Sequence, residues 1–305
     1  MATPDRATLL RGPAYATHDS ATILFGEDLL VELVTEFFDV ASSSHGRIGR
    51  RIKNRYVEIK GVPLMWSDLA KLFPYATLNI GDVIFGATDK PMVITPRNGR
   101  PLTIANVMPF ALPGISLHTA KPILRGMTWR GLVANASDPS AAASYFSFGS
   151  NGTNVAQTGL DLTKIPNTLY SAGYNSATYR AQDGFDIDFS LGLEPEHENE
   201  LHLNYRVTEL EAAAKFAPIG KTEADYATLM GWDGVAIGGS PYAGALVITG
   251  AGTGAPIVTL AGMQVQSGGV AYGARPLRTG EVQLASIRSV TSGNLNALWT
   301  FAAVE

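Results

Sequence analysis

The sequence predicts a mainly β protein: two tandem copies of one sandwich- or barrel-like domain, each with one short helix and a long hairpin arm. Three observations predict it. Most segments are short, β-branched or alternating and bounded by Gly, Pro and Asn; each half holds one capped helix; and the chain repeats itself in order.

The strand signals come first. Ala245 to Thr249, Ile257 to Ala261, Glu281 to Ile287 and Leu298 to Phe301 each read as a strand between turn residues. Asn98-Gly99, between Met92–Thr95 and Leu102–Ala105, predicts a two-residue hairpin of the I′ type. Gly250-Ala251-Gly252-Thr253-Gly254 has the composition of a phosphate loop, but such a loop must open a helix whose amides bind the anion. Pro256 to Leu260 reads instead as a strand, so the glycines form a turn.

The helices follow. Ser67 is placed to cap a helix whose apolar face is Leu69, Leu72 and Phe73, with Pro74 as its stop. In the second half Thr222 and Asp225 form a capping box, Tyr226, Leu229 and Met230 repeat the face, and Gly231 ends it. Both helices are expected to run two to three turns.

The repeat joins these elements. Asp19-Ser20-Ala21-Thr22 recurs as Asn175-Ser176-Ala177-Thr178, and Leu29, Val31, Leu33 as Phe185, Ile187, Phe189. Met92-Val93-Ile94-Thr95 recurs as Leu246-Val247-Ile248-Thr249, and Thr103-Ile104-Ala105 as Thr259-Leu260-Ala261. Pro122 with Gly126 recurs as Pro276 with Gly280, and Phe146-Ser147-Phe148 as Trp299-Thr300-Phe301. The pairs lie 153 to 157 positions apart, by subtraction, and keep their order. The expected domains are 1–149 and 150–305, with a Gly-, Asn- and Thr-rich linker over about 150–165.

Composition narrows the function. Charged residues are only 16% of the 305, while apolar residues are 46%, which suits a surface largely covered by partners as well as a charge-poor β protein. With no cysteine there is no disulfide, thiolate metal site or cysteine nucleophile. The N-terminus lacks the basic and apolar regions of a secretory signal, and no apolar run reaches the ~20 residues of a membrane-spanning helix.

No constellation carries chemistry. His197 and His202 flank an acidic run, but a zincin helix needs histidines four apart, and five apart in one strand places them on opposite faces. No Gly-x-Ser-x-Gly elbow joins a strand to a helix, and His18, His45, His118, His197 and His202 have no recognisable catalytic neighbourhood. No catalytic, cofactor or metal residue is assigned.

Charge is divided unevenly. Residues 1–135 hold 15 Lys/Arg and 11 Asp/Glu; subtraction from the totals of 23 and 27 leaves 8 and 16, so the net charges are +4 and −8. Positive charge gathers at Arg47, Arg50, Arg51, Lys53 and Arg55, and negative charge at Glu194, Glu196, Glu198 and Glu200. Both clusters fall between the first repeated strand and the helix. The basic run lacks the interleaved aromatics of a nucleic-acid platform.

Several of these segments together resemble a known family. They are Leu10-Arg11-Gly12-Pro13 before paired strands, the arm from Gly46-Arg47 to Arg55 joining Tyr56–Gly61, the helix ending at Phe73-Pro74-Tyr75, and Phe85-Gly86-Ala87-Thr88-Asp89-Lys90-Pro91 before a strand. In this order, over most of 10–148 and more weakly over 170–303, the chain resembles tail tube (major tail) proteins of long-tailed bacteriophages. The resemblance implies packed sheets with a flanking helix and arm, and rings that stack into a conduit for DNA in the virion tail. A duplicated chain implies trimeric rings with pseudo-sixfold symmetry, assembled in the host cytoplasm. The implied partners are the chain itself, the tape measure protein, tail terminator and tail-tip proteins, with DNA only in transit and neither membrane nor cofactor. Another virion β protein (a terminator, baseplate or contractile-injection tube component) is the alternative, and a carbohydrate-active or other β-fold enzyme a third. A DNA conduit further implies a neutral or acidic inner wall away from Arg47–Arg55, since phosphate affinity comes from Lys and Arg. The two charged arms are expected to meet between neighbouring chains or rings.

Overall fold

The computed structural model describes residues 11–25, 29–64, 69–85, 89–98, 100–118, 124–132, 145–150, 169–181, 183–198, 201–219, 222–231, 235–252, 255–271, 278–287, 290–291, 294–295 and 297–303. The protein is mainly β. The first half supplies β1 (Arg11–His18), β2 (Ala21–Leu24), β3 (Leu30–Ser42), β4 (Gly46–Gly61), α1 (Leu69–Leu72), β5 (Lys90–Asn98), β6 (Leu102–Ala111), β7 (Ile115–Leu117), β8 (Met127–Gly131) and β9 (Phe146–Phe148). The second supplies β10 (Tyr170–Tyr174), β11 (Ala177–Ala181), β12 (Phe185–Glu198), β13 (Leu201–Phe216), β14 (Pro218–Ile219) and α2 (Glu223–Met230). It continues with β15 (Ala243–Gly250), β16 (Pro256–Ser267), β17 (Val270–Ala271), β18 (Arg278–Thr279), β19 (Val282–Ser286), β20 (Val290–Thr291), β21 (Asn294–Leu295) and β22 (Trp299–Ala303).

Two antiparallel sheets result. The first runs β2-β1-β5-β6-β8-β4-β3 with β9 on β6; the second runs β14-β11-β10-β15-β16-β19-β13-β12-β7 with β22 on β16. Elements aligned by the sequence repeat hold the same places in both orders. Their irregularities coincide as well. The β3–β4 pairing slips at Glu36/Phe37 and Val40/Ala41, and the β12–β13 pairing at Gly192/Leu193 and Glu196/His197. Slips at Lys90/Met92 and Pro109/Ala111 are matched at Gly244/Leu246 and Val265/Ser267. Bulges bend and twist strands locally, so they set the curvature of a sheet.

Two local devices show why. Asp19 and Ser20 have φ of 46° and 66°, and Asn175 and Ser176 have 48° and 61°. Positive φ at both central residues fits the right-handed twist of a two-residue hairpin, and Asp and Asn tolerate it. The flanking pairs are His18↔Ala21 and Tyr174↔Ala177. At Asn106 and Gly262 the chain also turns to positive φ (45° and 61°), and each carbonyl accepts an N–H, from Leu132 and Ile287. A Cβ at Gly262 would stand 2.1 Å from the Ile287 carbonyl oxygen, which only glycine avoids.

Alternation builds the core. Met127, Trp129 and Gly131 of β8, and Tyr170, Ala172 and Tyr174 of β10, point inward while their neighbours do not. Ile59, Met92, Ile104 and Trp129 are fully buried in the first sheet, as are Ile187, Ile248, Val258 and Leu260 or nearly so in the second. All belong to one continuous apolar cluster.

Several expectations are corrected. Among the described residues α1 spans Leu69–Leu72, one turn that ends before Pro74; Ser67, expected to cap it, lies outside the described residues. The β5–β6 hairpin forms, but Ile94 faces Leu102, which a two-residue turn at Asn98-Gly99 does not allow. β5 is drawn past the hairpin by its pairing with β1, as far as Arg11↔Asn98. Gly99 and most of the linker over 150–165 lie outside the described residues. The expected hairpin arm is present, with β4 running unbroken from Gly46 through Tyr56 to Gly61.

Candidate assembly interface

The first sheet ends in β3 and the second in β7, a strand that belongs to the first half of the chain. After β6 the chain crosses over and lays Ile115–Leu117 antiparallel on β12, pairing Ile115 with Ile187 and Ser116 with Asp186. Alternation in β12 makes this edge two-sided: Phe185 and Ile187 are fully buried, while Asp186 and Asp188 face the polar side. Ser116 Oγ donates to Asp186 at 2.6 Å, and His118 Nε2 lies 3.3 Å from the same oxygen. Arg125 spans both acids, reaching Asp188 at 2.9 Å and Asp186 at 3.2 Å. Burial pushes the Asp186 carboxyl up, but bonds from Ser116 and His118 and the charge of Arg125 outweigh it and hold the group below its ordinary value.

A second strip of the first half runs beside β13. Gly81 N–H donates to the Val207 carbonyl, Val207 N–H to Asp82, and Ile84 N–H to Tyr205, at 2.8, 2.8 and 3.1 Å. The Asn204 side chain then substitutes for a strand partner: its Oδ1 accepts from Phe85 N–H and its Nδ2 donates to the Phe85 carbonyl. The third contact is apolar. Phe73, just past α1, packs on Phe189 and Phe301 with ring centroids 4.9 and 5.5 Å away, and Trp299 Nε1 donates to the Phe73 carbonyl at 3.0 Å.

Arg130 ties the centre of this junction. Its guanidinium lies 3.5 Å from the Phe110 ring centroid and 4.2 Å from that of Tyr56, bonds Glu58 through Nε, and donates to the Tyr205 hydroxyl at 2.6 Å. Burial raises the Glu58 carboxyl, while Lys60 and Arg130 together bring it below its ordinary range. A cation enclosed by rings and a carboxylate is fixed in place, and this one joins the two sheets.

The charged arms are the β3–β4 and β12–β13 hairpins. Arg47 and Arg50 both bond Asp39 of their own arm at 3.0 Å, while Arg51 and Lys53 are exposed. Arg55 stands 5.7 Å from the Tyr145 ring centroid. In the other arm Glu194 is exposed, and Glu196 accepts from Arg206 at 2.6 Å. The side chain of Glu198, at the end of β12, and all of Glu200 lie outside the described residues. The basic residues thus occupy the second strand of their hairpin and the acids the first strand of theirs. By bulge-matched register, Glu194 and Glu196 correspond to Phe38 and Val40, a strand-level difference that spacing alone does not reveal. His197 and His202 are partners across the hairpin, rather than opposite faces of one strand. Among the described residues no group of three His, Cys, Asp or Glu is placed to hold a metal, and no helix is long and apolar enough to cross a membrane.

Nothing in the sequence singles out Ser116, Asp186, Asp188, Arg125 or Arg130. The alternating Phe185-Asp186-Ile187-Asp188 was a signal for two acids on one face, but nothing local showed that a distant strand would meet them. No protein-family model matches the chain, and no curated protein matches its sequence.

Proposed function

We propose that the chain is a structural subunit of a phage tail tube, built from a duplicated domain and assembled as trimeric rings that stack into a DNA conduit. The observation that carries this reading is the junction just described: one half completes the sheet of the other, while the equivalent edge, β3, carries no such strand among the described residues. Equal strand order and coincident bulges support a duplication, so a ring of three chains presents six similar positions. Ring closure is also the physical answer to an exposed sheet edge. In this reading the tape measure protein and DNA occupy the lumen in turn, and the terminator and tail-tip proteins close the ends. The inner wall is neutral or acidic, with Arg47–Arg55 away from it.

Negative-stain imaging of the purified protein is the test. Stacked rings with a threefold axis are the expected result. Rings that never stack favour a terminator or baseplate component, and a steady monomer or a ring of six chains overturns the reading.

A further inference from the structure

We infer that a second copy of this chain docks on the β3 edge, and that it does so by repeating, residue for residue, the junction inside the chain. The inference rests on the duplication in the reading above, but not on the tail tube.

The receiving surface inside the chain is β12, β13 and β22, and its counterparts in the first half are β3, β4 and β9. Matched bulges fix the correspondence: Phe189 with Leu33, Val207 with Ile52, and Phe301 with Phe148. The internal surface is covered and its counterpart is not. Phe189 is 8% exposed against 53% for Leu33, and Val207 0% against 42% for Ile52; Phe148 is 51% exposed. Phe37 extends the same open apolar face along the arm, while Leu30, in the place of Asp186, is exposed on the opposite face. β3 has no strand on this edge among the described residues, and an open edge lined with large apolar side chains invites pairing.

The donating surface is also duplicated. β7 corresponds to β17: the bridge Ile115↔Leu124 recurs as Val270↔Thr279, each pair 155 positions on. α1 corresponds to α2, with Met230 in the place of Phe73. Tyr226 of α2 donates to the Gly269 carbonyl at 2.7 Å, so helix and strand are presented together. Beyond the helix Val235 and Ile237 are exposed, as a strip destined for a partner would be. The contact is therefore heterologous: β17 of one copy pairs with β3 of the next, Val270 opposite Val31 and Ala271 opposite Leu30. α2 then covers Leu33 and Phe148.

The internal and external junctions differ in one respect. In the bridge register Asp186, Ser116 and Arg125 correspond to Leu30, Ala271 and Gly280, one position off the sequence match of Gly126 with Gly280, so the Arg125 bridge is absent from the contact between copies. At the place of Asp188 stands Glu32, bonded to Lys60 of its own hairpin, so the junction between copies keeps the apolar contacts and lacks the cross-junction latch.

The absence of native cysteine allows a clean test. The double variant Val31→Cys with Val270→Cys is oxidised, and its products are sized without reductant. Expected are disulfide-linked oligomers, at least tenfold above either single variant and above the off-register pair Leu30→Cys with Val270→Cys. A closed three-chain product agrees with the trimeric ring, and an open ladder sustains the contact while overturning that ring. A chain folded by circular dichroism that gives only single-variant levels overturns the inference, even if tubes are seen. Separately, Leu33→Asp with Phe148→Asp is expected to stay monomeric by sedimentation with an unchanged circular dichroism spectrum. Assembly equal to the parent overturns the inference too.

Discussion

Arg130 shows at the residue scale how one side chain joins two sheets. It is enclosed by Phe110, Tyr56 and Tyr205, and its carboxylate partner Glu58 is largely buried. Replacing Arg130 with Ala leaves Glu58 with Lys60 alone and removes the packed stem, so a loss of about 2–4 kcal/mol is expected. Urea unfolding measures it. The pH dependence has a definite sign. Glu58 titrates lower in the fold than its ordinary 4.5, so its stabilisation is present above that value and fades as pH falls through it toward the folded pKa. The gap between parent and Arg130→Ala should therefore narrow on acidification below about pH 4.5. A gap that stays constant to pH 3 would show that packing, not charge, carries the effect.

Elements in this protein owe their limits to neighbours more than to propensity. α2 is self-contained: Thr222 Oγ1 accepts from Asp225 N–H, the Asp225 carboxylate accepts from Thr222 N–H, and Gly231 closes the helix at φ 65°. Thr222→Ala should cost about 1 kcal/mol, read as a lower unfolding midpoint with unchanged slope. Because Tyr226 holds Gly269 beside β17, the same variant should also weaken assembly; a stability loss with full assembly would separate the helix from the interface. α1 has no equivalent described cap, and what secures it is tertiary: Phe73, just past it, packs on Phe189 and its carbonyl accepts from the Trp299 indole. The arms follow the same rule. Their length was readable as charge runs, but the strand that carries each charge depends on where the hairpin turns.

At the scale of the whole molecule, alternation of unlike halves requires that like halves pair less well. The charge contrast between arms is proposed to serve this purpose, although Asp39 and Arg206 already neutralise part of it within each arm. Exposed pairs contribute only about 0–1 kcal/mol each, so the effect belongs to register and assembly rate. Glu194→Lys with Glu198→Lys spares the Glu196–Arg206 pair. It should slow assembly at low salt, with the difference shrinking as salt screens it. Equal rates at low salt would make the arms solvated loops and the contrast an accident of composition.

What the chain determined by itself are the features that are local or repeated. The capping box at Thr222, the alternating strands and their order along the chain all follow from side-chain sterics and short-range hydrogen bonds, and the repeat pairs Asp19-Ser20 with Asn175-Ser176, whose left-handed turns the structure then shows. Only the tertiary structure decided which strand closes which sheet. Ile115–Leu117 looks like any short apolar strand, and its place on β12 depends on Asp186, Asp188 and Arg125 meeting across about sixty positions of chain. The exposure of Leu33 and Phe148 is likewise invisible in sequence, where they match the covered Phe189 and Phe301. Periodicity reports that a face is apolar; whether the partner for that face lies within the same chain is settled by three-dimensional connection alone.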